Sequence, residues 1–553
     1  MRVAALAALL LAGLAGCSGG SSSSSSSSSS ASDATGHSAS ATSNAPPPGH
    51  TFIDLVGELP TSLDETATPD AASTALLPSW SSELVRPKGA APGPEAVLAP
   101  DDAVVPYLAT SWQRDPNGDY TFNLRRGVRG ISGDPFTAAD VKWSLERAAA
   151  RSPVAPFLFA LAHIDSANPV TVLDPHRVRI NVTAPSPFTL SVLASYDVAI
   201  YDSALYRLHA TAADPWAQQW GSIHSGSFGA YWVSWFWPRH EIELDANPGF
   251  WRRPYYARVF IRQVANAGTR VDEVLGGAAT HTSDLPWGNF ETAVNSPASD
   301  DTSATILQTG PGVIAWHLDV ASGPLANPLV RQAINLGVNR IELANALDNA
   351  FADPTVLTIP AALGQPQSTV FDPVQARSLL RAAGYPQGIT LDIYTNEDQA
   401  GGQAYTLLAI LRAQMLQLGV FLRITFIDDT DQLLALEQHH QLQSTIDVIT
   451  PLLGGAGFLL EQNDNVALDP VSPAANQRYS NAMVQTLLDQ LGNSPPGPAA
   501  DALIHQAAAL VDADVPTVNF VAVPIQNVTR AGITGYAAYA QPVTYYEYLH
   551  PAR

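Results

Sequence analysis

Helical and strand patterns alternate regularly between residues 372 and 450, and this alternation constrains the fold more than any other feature of the chain. Gly384 and Gly419 stand where two of the helices are predicted to end. The predicted elements are helix 373–383, strand 389–395, helix 402–418, strand 420–427, helix 431–440 and strand 445–450. Short apolar strands that alternate with helices form a largely parallel sheet, so this region predicts an α/β lobe.

The chain before residue 372 is richer in strands. Strand patterns occur at 120–125, 177–182, 241–245, 258–264 and 313–320. Helices are predicted to start after Thr137, which has Asp140 at the third helical position, and after Asn327, where the helix stops at Gly337. A late helix at 499–513 precedes a strand at 517–523. Two α/β regions with a strand-rich insertion predict a protein of several lobes with a binding site between them.

The first sixteen residues form a short Ala/Leu run behind the single basic residue Arg2. This run is too short to span a bilayer and has the pattern of an export signal. It ends in Leu14-Ala-Gly-Cys17, which resembles the bacterial lipobox, and Cys17 is the only cysteine of the chain. The resemblance implies cleavage before Cys17 and acylation of this residue, palmitate included, with two or three acyl chains that suffice for stable anchoring. The alternative is an ordinary signal peptide that a cysteine follows by coincidence.

Residues 17–49 have the composition of a flexible tether, with ten consecutive serines at 21–30 and three prolines at 46–48. The predicted location is therefore the extracytoplasmic face of a bacterial cell membrane, with a large body in water. The formal net charge of −22 argues against a nucleic-acid partner and against a polybasic contact with anionic lipid.

Several motifs of the body occur together in the order of one known family. They are Leu108-Ala-Thr-Ser-Trp112 with Tyr120-Thr-Phe-Asn-Leu-Arg125, Asp134-Pro-Phe-Thr-Ala-Ala-Asp140, Gly229-Ala-Tyr231 with Ile242-Glu-Leu-Asp-Ala-Asn247, Pro328-Leu-Val-Arg331-Gln-Ala333, and Ala376-Arg-Ser-Leu-Leu380 with Ala383-Gly-Tyr385-Pro386. Together, from about residue 50 to the C-terminus, the chain resembles the family 5 solute-binding proteins of ABC importers, of the oligopeptide and dipeptide type.

The resemblance implies an α/β periplasmic-binding-protein fold of two lobes joined by a hinge, with a third subdomain inserted in the first lobe. Lobe I is expected at 50–95, 200–318 and 518–553, the inserted subdomain at 96–199 and lobe II at 319–517. The hinge is expected near 316–320 and 515–521.

The resemblance also implies a monomeric, non-enzymatic receptor without a cofactor or a resident metal. It would capture an extracellular solute, foremost an oligopeptide or dipeptide, and deliver it to the permease subunits of an ABC importer. Haem, a nickel chelate or an oligosaccharide is the alternative cargo, and a non-transport regulator of the cell envelope is the alternative function. The sequence agrees with the absence of catalysis, since the body has no cysteine nucleophile and no HExxH motif.

The ligand site departs from the family pattern. In peptide-binding members an aspartate after the strand resembling 446–449 pairs with the α-amine of the ligand, and here that position is Ala456. A buried ammonium without a partner is costly, so either Glu461 or Asp464 replaces the aspartate or the ligand has no free amine. Asp447 is interpreted as a structural cap. Further expected ligand contacts are Trp287, Trp316, Gly454 and Gly455, the last two through close backbone approach.

Two other groups of residues are interpreted as structural. The tryptophans at positions 220, 232, 235, 237 and 251 are dense enough to stack on a ligand, but packing in the core or at the rim is the preferred interpretation. His439 and His440 are adjacent at a predicted helix end and point about 100° apart, so solvation is preferred to metal binding.

Overall fold

The structure is a computed structural model of the 553-residue chain. It describes residues 51–552 apart from 67–70, 93–102, 284, 297–301, 348–352, 355–369, 397–403, 428–429, 450–459, 461–477, 496 and 540. All of the described residues belong to one compact unit of the chain.

The described strands and helices have the following bounds. The strands are β1 Thr51–Val56, β2 Val85–Pro87, β3 Val104–Pro106, β4 Ala109–Arg114, β5 Tyr120–Leu124, β6 Val170–Asp174, β7 Arg177–Ile180, β8 Tyr231–Trp237, β9 Glu241–Ala246, β10 Arg258–Gln263, β11 His281–Ser283, β12 Thr302–Leu318, β13 Asp353–Pro354, β14 Ile389–Thr395, β15 Val420–Phe426, β16 Ser444–Ile449, β17 Thr517–Arg530, β18 Ile533–Thr534 and β19 His550–Pro551. The α-helices are α1 Ala71–Leu76, α2 Ala138–Arg151, α3 Ala155–Leu161, α4 Thr189–Val192, α5 Ser203–His209, α6 Gln218–Gly221, α7 Ala267–Leu275, α8 Trp287–Val294, α9 Pro328–Gly337, α10 Arg340–Ala346, α11 Pro373–Ala382, α12 Ala404–Leu418, α13 Thr430–Gln438, α14 Ala482–Gly492 and α15 Pro498–Asp514.

Two long antiparallel strands, β12 and β17, form the centre of an eleven-stranded sheet. The strand order is β15-β14-β16-β12-β17-β11-β1-β10-β9-β8, and β13 pairs with β17 beside this path. Strand β16 pairs with residues 313–318 of β12, whereas β11 pairs with residues 527–529 of β17. The sheet therefore has a first half, β8–β11 with β1, and a second half, β14–β16, which join opposite ends of one strand pair.

The α/β prediction for residues 372–450 is confirmed. Strand β14 runs parallel to both β15 and β16, and helices α12 and α13 connect these strands. Helix α11 ends just before Gly384, which has a φ of +94° that favours glycine. The side chains of β14 alternate between buried and more exposed positions, as a sheet with a covered face requires.

The two central strands are longer than the sequence predicts. The predicted strands 313–320 and 517–523 are the ends of β12 and β17, which have 17 and 14 residues. Two segments inside these strands, Gly310-Pro311-Gly312 in β12 and the proline at position 524 in β17, do not resemble strand sequences. Gly and Pro are typical of turns and rare inside strands, so the sequence pattern does not predict that the strands continue there. The pairing of β12 with β17 shifts register between Ile306 and Gly312, at the same place along the chain.

The inserted segment forms its own four-stranded antiparallel sheet, in the order β4-β5-β7-β6. Helix α2 covers it and starts with the predicted capping box, in which the Thr137 backbone N–H donates to the Asp140 carboxylate at 2.8 Å. This sheet lies inside the predicted range 96–199, while the exact lobe boundaries stay a prediction. No helix in the described part of the chain has both the length and the apolar character that crossing a bilayer requires.

Candidate functional site

The parallel strands of both halves end at the centre of the molecule. In the first half β1, β10 and β11 are parallel and end at Val56, Gln263 and Ser283. In the second half β14, β15 and β16 are parallel and end at Thr395, Phe426 and Ile449. Ligands of open α/β sheets bind in the crevice beyond the carboxyl ends of such strands, so each half presents its binding edge.

The strand register shows that the two binding edges face the same stretch of β12 and β17. Ser283 at the end of β11 lies opposite Asn527, and Ile449 at the end of β16 lies opposite Val313. Between these two places Gly312 of β12 pairs with Val523 of β17. A solute at this central stretch is therefore flanked by the carboxyl ends of both halves, which defines the candidate site.

The same stretch contains the register shifts of the central strand pair. Two of them lie between Ile306 and Gln308 and between Gln308 and Gly312, and a third lies between Ile314 and Ala315, where β12 also pairs with β16. An irregular ladder has fewer regular hydrogen bonds to resist bending than the doubly paired segment. The predicted hinge near 316–320 and 515–521 stays a prediction, but the irregular stretch lies closer to the N-terminus of β12.

Most of the predicted ligand contacts follow strand ends at this site. Trp287 is the first residue of α8, directly after β11, although its side chain is outside the described part. Gly454, Gly455, Glu461 and Asp464 follow the carboxyl end of β16 along the chain, and all four lie outside the described residues. Ala456 and Cys17 also lie outside them.

Trp316 is packed as a core residue. Its side chain is 0% exposed and belongs to the apolar cluster of the second half, together with Leu391 and Ile446. A fully covered indole offers no surface to a solute in this conformation, so the packing does not favour its prediction as a ligand contact.

Asp447 has a structural role, but it is not a cap. It lies within β16, and its carboxylate accepts a hydrogen bond from His317 Nε2 at 2.8 Å. Glu437 of α13 packs against this pair, and burial, followed by the charge of Asp447, raises its pKa to about 8. His317 and Glu437 are buried and the side chain of Asp447 is 27% exposed, so the three form a partly covered polar cluster in the second half.

The floor of the candidate site has polar atoms that the sequence did not reveal. The amide of Asn527 is 1% exposed, and neither its Nδ2 nor its Oδ1 has a hydrogen-bond partner within the part of the chain that the structure describes. The neighbouring Gln526 donates from Nε2 to the Leu285 carbonyl, while its Oε1 is unpaired. Buried amides normally find partners, so these atoms can bind an ordered water, while an amide that is 1% exposed offers no surface to a solute in this conformation.

The loop that follows β1 is held to helix α2 by hydrogen bonds to a buried arginine. Asp64 and Glu65 both accept hydrogen bonds from Arg147 of α2, the latter at 2.9 Å from Nη1, and Tyr201 donates its hydroxyl to Glu65. Burial, followed by the charge of Asp64, raises the pKa of Glu65 to about 8. Burial lowers the pKa of Arg147, but Glu65 and Asp64 raise it further, so Arg147 stays charged. The network holds the loop after β1 against helix α2.

The two groups predicted to be structural lie outside the candidate site. Trp220, Trp232 and Trp251 are half-buried. Trp235 and Trp237 are 57% and 54% exposed on the edge strand β8. His439 and His440 are exposed just beyond the end of α13.

Comparisons with known proteins agree with this geometry. A family model described as bacterial extracellular solute-binding proteins, family 5 middle, matches residues 103–457, which is more than half of the chain. The glutathione-binding protein GsiB of Escherichia coli (strain K12) is 25% identical over 347 residues, 61% of this chain and 64% of that protein. The match therefore spans less than two thirds of the length of this curated relative.

Solved structures share the fold. The periplasmic binding protein DppA from Helicobacter pylori, in complex with the peptide STSA, matches with a TM-score of 0.76 at 20% identity and covers 91% of this chain and 98% of its own. A dipeptide-binding protein from Pseudoalteromonas sp. SM9913, in complex with Met-Leu, matches with a TM-score of 0.75 at 15% identity, covering 91% and 100%. These likenesses show a two-lobed periplasmic-binding-protein fold. With the family match, they establish that the chain belongs to the bacterial extracellular solute-binding proteins of family 5, which are receptors and not enzymes.

Proposed function

We propose that the protein captures a peptide-type solute between the two halves of its sheet and delivers it to the permease of an ABC importer. The observation that carries this proposal is the convergence of the parallel strand ends of both halves on one stretch of β12 and β17. A solute bound there contacts both halves at once, and family membership supplies the class of function.

The mechanism is conformational and involves no covalent step. A solute that touches both halves binds the closed form more tightly than the open form, and it shifts the equilibrium by that difference in affinity. Hinge closure around a solute is an established type of domain motion. The irregular ladder between Ile306 and Gly312 is the proposed place of bending. The permease then recognises the closed form.

A peptide is the preferred cargo because similar proteins bind peptides or peptide-like solutes. The names of GsiB, DppA and the Pseudoalteromonas protein refer to glutathione, the peptide STSA and the dipeptide Met-Leu. We further propose Trp287, Gly454, Gly455, Glu461 and Asp464 as contacts, with Glu461 or Asp464 in the role of the amine partner.

The absence of a carboxylate at position 456 favours a second candidate, a solute without a free α-amine. Haem, a nickel chelate, an oligosaccharide or an amine-blocked peptide meets this condition. The two candidates differ in a direct test, since only a free-amine peptide loses affinity when its N-terminus is acetylated.

Lipid anchoring through Cys17 completes the proposal. Acyl chains on Cys17 would hold the body at the outer face of the membrane, with the Ser-rich segment as a tether. The variant Cys17→Ala is expected to move from the membrane fraction to the soluble fraction, whereas Ser18→Ala is expected to stay in the membrane. Retention of Cys17→Ala in the membrane would contradict the anchor and leave the binding proposal untouched.

A thermal-shift screen tests the cargo. Free-amine peptides, their acetylated forms, glutathione, oligosaccharides, haem and nickel chelates are compared at saturating concentration. A solute at 100 times its Kd stabilises the folded state by about 2.7 kcal/mol. Trp287→Ala is expected to lose this stabilisation, and the exposed Trp237→Ala on β8 serves as its control. No stabilisation by any peptide would overturn the peptide proposal.

A further inference from the structure

A cavity of about 350 Å³ lies on the outer face of the inserted four-stranded sheet, away from the candidate solute site. This volume is at the lower end of the range of small-molecule pockets. The residues that line the cavity are Thr110, Asn123, Leu124, Arg126, His176 and Arg177. Three of the six have nitrogen-bearing basic side chains, in a chain whose formal net charge is −22.

Backbone pairing and side-chain hydrogen bonds fix the floor of the cavity. Asn123 of β5 lies opposite Arg177 of β7, and the Leu124 N–H donates to the His176 carbonyl at 2.8 Å. Thr110 donates its hydroxyl to the Asn123 carbonyl at 3.1 Å, and Asn123 donates from its amide to Ser111 at 2.9 Å. The basic side chains therefore stand on a rigid sheet, which holds a binding site more accurately than a loop does.

The basic groups of the cavity lack strong partners of their own. Arg126 is exposed and makes no hydrogen bond or ion pair with its side chain within the described residues. The carboxylate of Asp174 is 3.9 Å from Arg177, and both side chains are about half exposed, so this ion pair is weak. One oxygen of Asp174 also accepts from the His176 backbone N–H at 2.8 Å. His176 Nδ1 is buried and has no partner in the described structure.

Two arginines of the first half are paired more closely, although exposed arginines without a close partner also occur elsewhere, as at Arg381. Arg258 lies 2.7 Å from Glu243 and Arg262 lies 2.7 Å from Glu241. An acidic chain offers many carboxylates, yet the two arginines and the histidine of this cavity have no carboxylate in close contact. Such a group of basic side chains suits an anion from outside the protein.

We propose that this cavity binds a phosphate group. Guanidinium forks from Arg126 and Arg177 match the oxygens of a phosphate in bidentate geometry. The imidazole of His176 and the second amide hydrogen of Asn123 supply further donors. A phosphate has enough oxygens to engage groups on opposite walls, whereas a carboxylate fills one fork only. The phosphate belongs either to a soluble molecule or to a lipid headgroup near the membrane.

Calorimetry on the full chain carrying Cys17→Ala tests the site, because this variant has no acyl chain that would bind vesicles by itself. Inorganic phosphate is titrated at constant ionic strength. Saturable binding is expected, and Arg126→Gln should weaken it at least tenfold. The matched control is Arg381→Gln, an exposed arginine of α11 without a hydrogen bond or ion pair from its side chain in the described chain, which should leave the affinity unchanged.

Vesicles distinguish the two sources of phosphate. Co-sedimentation with phosphatidylglycerol vesicles, but not with phosphatidylcholine vesicles, that is lost in Arg126→Gln and kept in Arg381→Gln indicates a lipid headgroup. Phosphate binding without vesicle binding indicates a soluble phosphorylated molecule. The proposal is overturned if phosphate and vesicles both fail to bind, or if the two arginine variants lose binding equally. Circular dichroism of both variants checks that they fold.

Discussion

Replacing Glu65 by glutamine should flatten the pH dependence of stability. Glu65 is buried with Asp64, Arg147 and Tyr201, and its pKa in the folded state is raised from 4.5 to about 8 by burial and by Asp64. A carboxyl group with a raised folded pKa keeps its proton in the folded state while the unfolded state loses it. Stability therefore falls as the pH rises from about 4.5 to about 8.

The magnitude follows from the size of the shift. One pKa unit corresponds to 1.36 kcal/mol. Integrated from pH 5 to pH 8, a change of the pKa from 4.5 to about 8 lowers the free energy of unfolding by about 3–4 kcal/mol. The glutamine has nearly the shape of the protonated glutamate and cannot ionise. It should have similar stability to the parent protein at pH 5 and about 3 kcal/mol more at pH 8.

Urea unfolding followed by tryptophan fluorescence, at pH 5 and at pH 8, measures the difference. The control is Glu291→Gln, an exposed glutamate on α8, which should keep the pH dependence of the parent protein. An equal fall in stability for Glu65→Gln and the parent protein would refute the reasoning, because it would mean that Glu65 is ionised in the folded state.

Three further substitutions test other parts of the account. Trp316→Ala removes a fully buried indole and should cost about 3–5 kcal/mol in urea unfolding, with the order of solute preference unchanged in the thermal-shift screen; a changed order would return Trp316 to the site. Gly388 has a φ of +97°, and a Cβ at this position would lie 2.4 Å from the Gly419 carbonyl oxygen, so Gly388→Ala should lower the thermal midpoint. Gly288 of α8 has open space around it, so Gly288→Ala should leave the midpoint unchanged. Glu437→Gln removes a second buried carboxyl with a pKa of about 8, so it should also raise the free energy of unfolding at pH 8. This increase should add to that of Glu65→Gln, because Glu65 and Glu437 lie in different halves. A strongly non-additive double variant would mean that the two sites are coupled.

Local patterns predicted the second half of the sheet well. Strand β14 occupies the predicted residues, and α11 and β15 end within one residue of the prediction. Their helix and strand periods are encoded within a few residues, with Gly384 and Gly419 at the helix ends. The long strands β12 and β17 were predicted too short because their continuation depends on pairing with each other across about 200 residues, which no local pattern shows.

The predicted ligand contacts stay predictions, although several of them follow strand ends of the candidate site. Trp287 and the segment from Gly454 to Asp464 follow the ends of β11 and β16, where the fold places ligands. Trp316 was expected beside the cleft, since a core tryptophan and a cleft tryptophan in a strand have the same local pattern. Asn527 and the contact between Arg147 and Glu65 were missed, because burial and a pairing over 82 residues arise only from the tertiary fold.

The distance between the two halves tests the central claim most directly. The chain has one cysteine, so Cys17→Ala removes the only native position that a spin label could modify. In this background, labels attach only at the introduced cysteines Glu291→Cys on α8 and Ala435→Cys on α13. Pulsed electron paramagnetic resonance then gives the distance between the helices that follow β11 and β15, with and without the solute that stabilises the protein most. The account predicts a shorter and narrower distance distribution when this solute is bound. An unchanged distribution with a solute that demonstrably binds would contradict capture between the two halves.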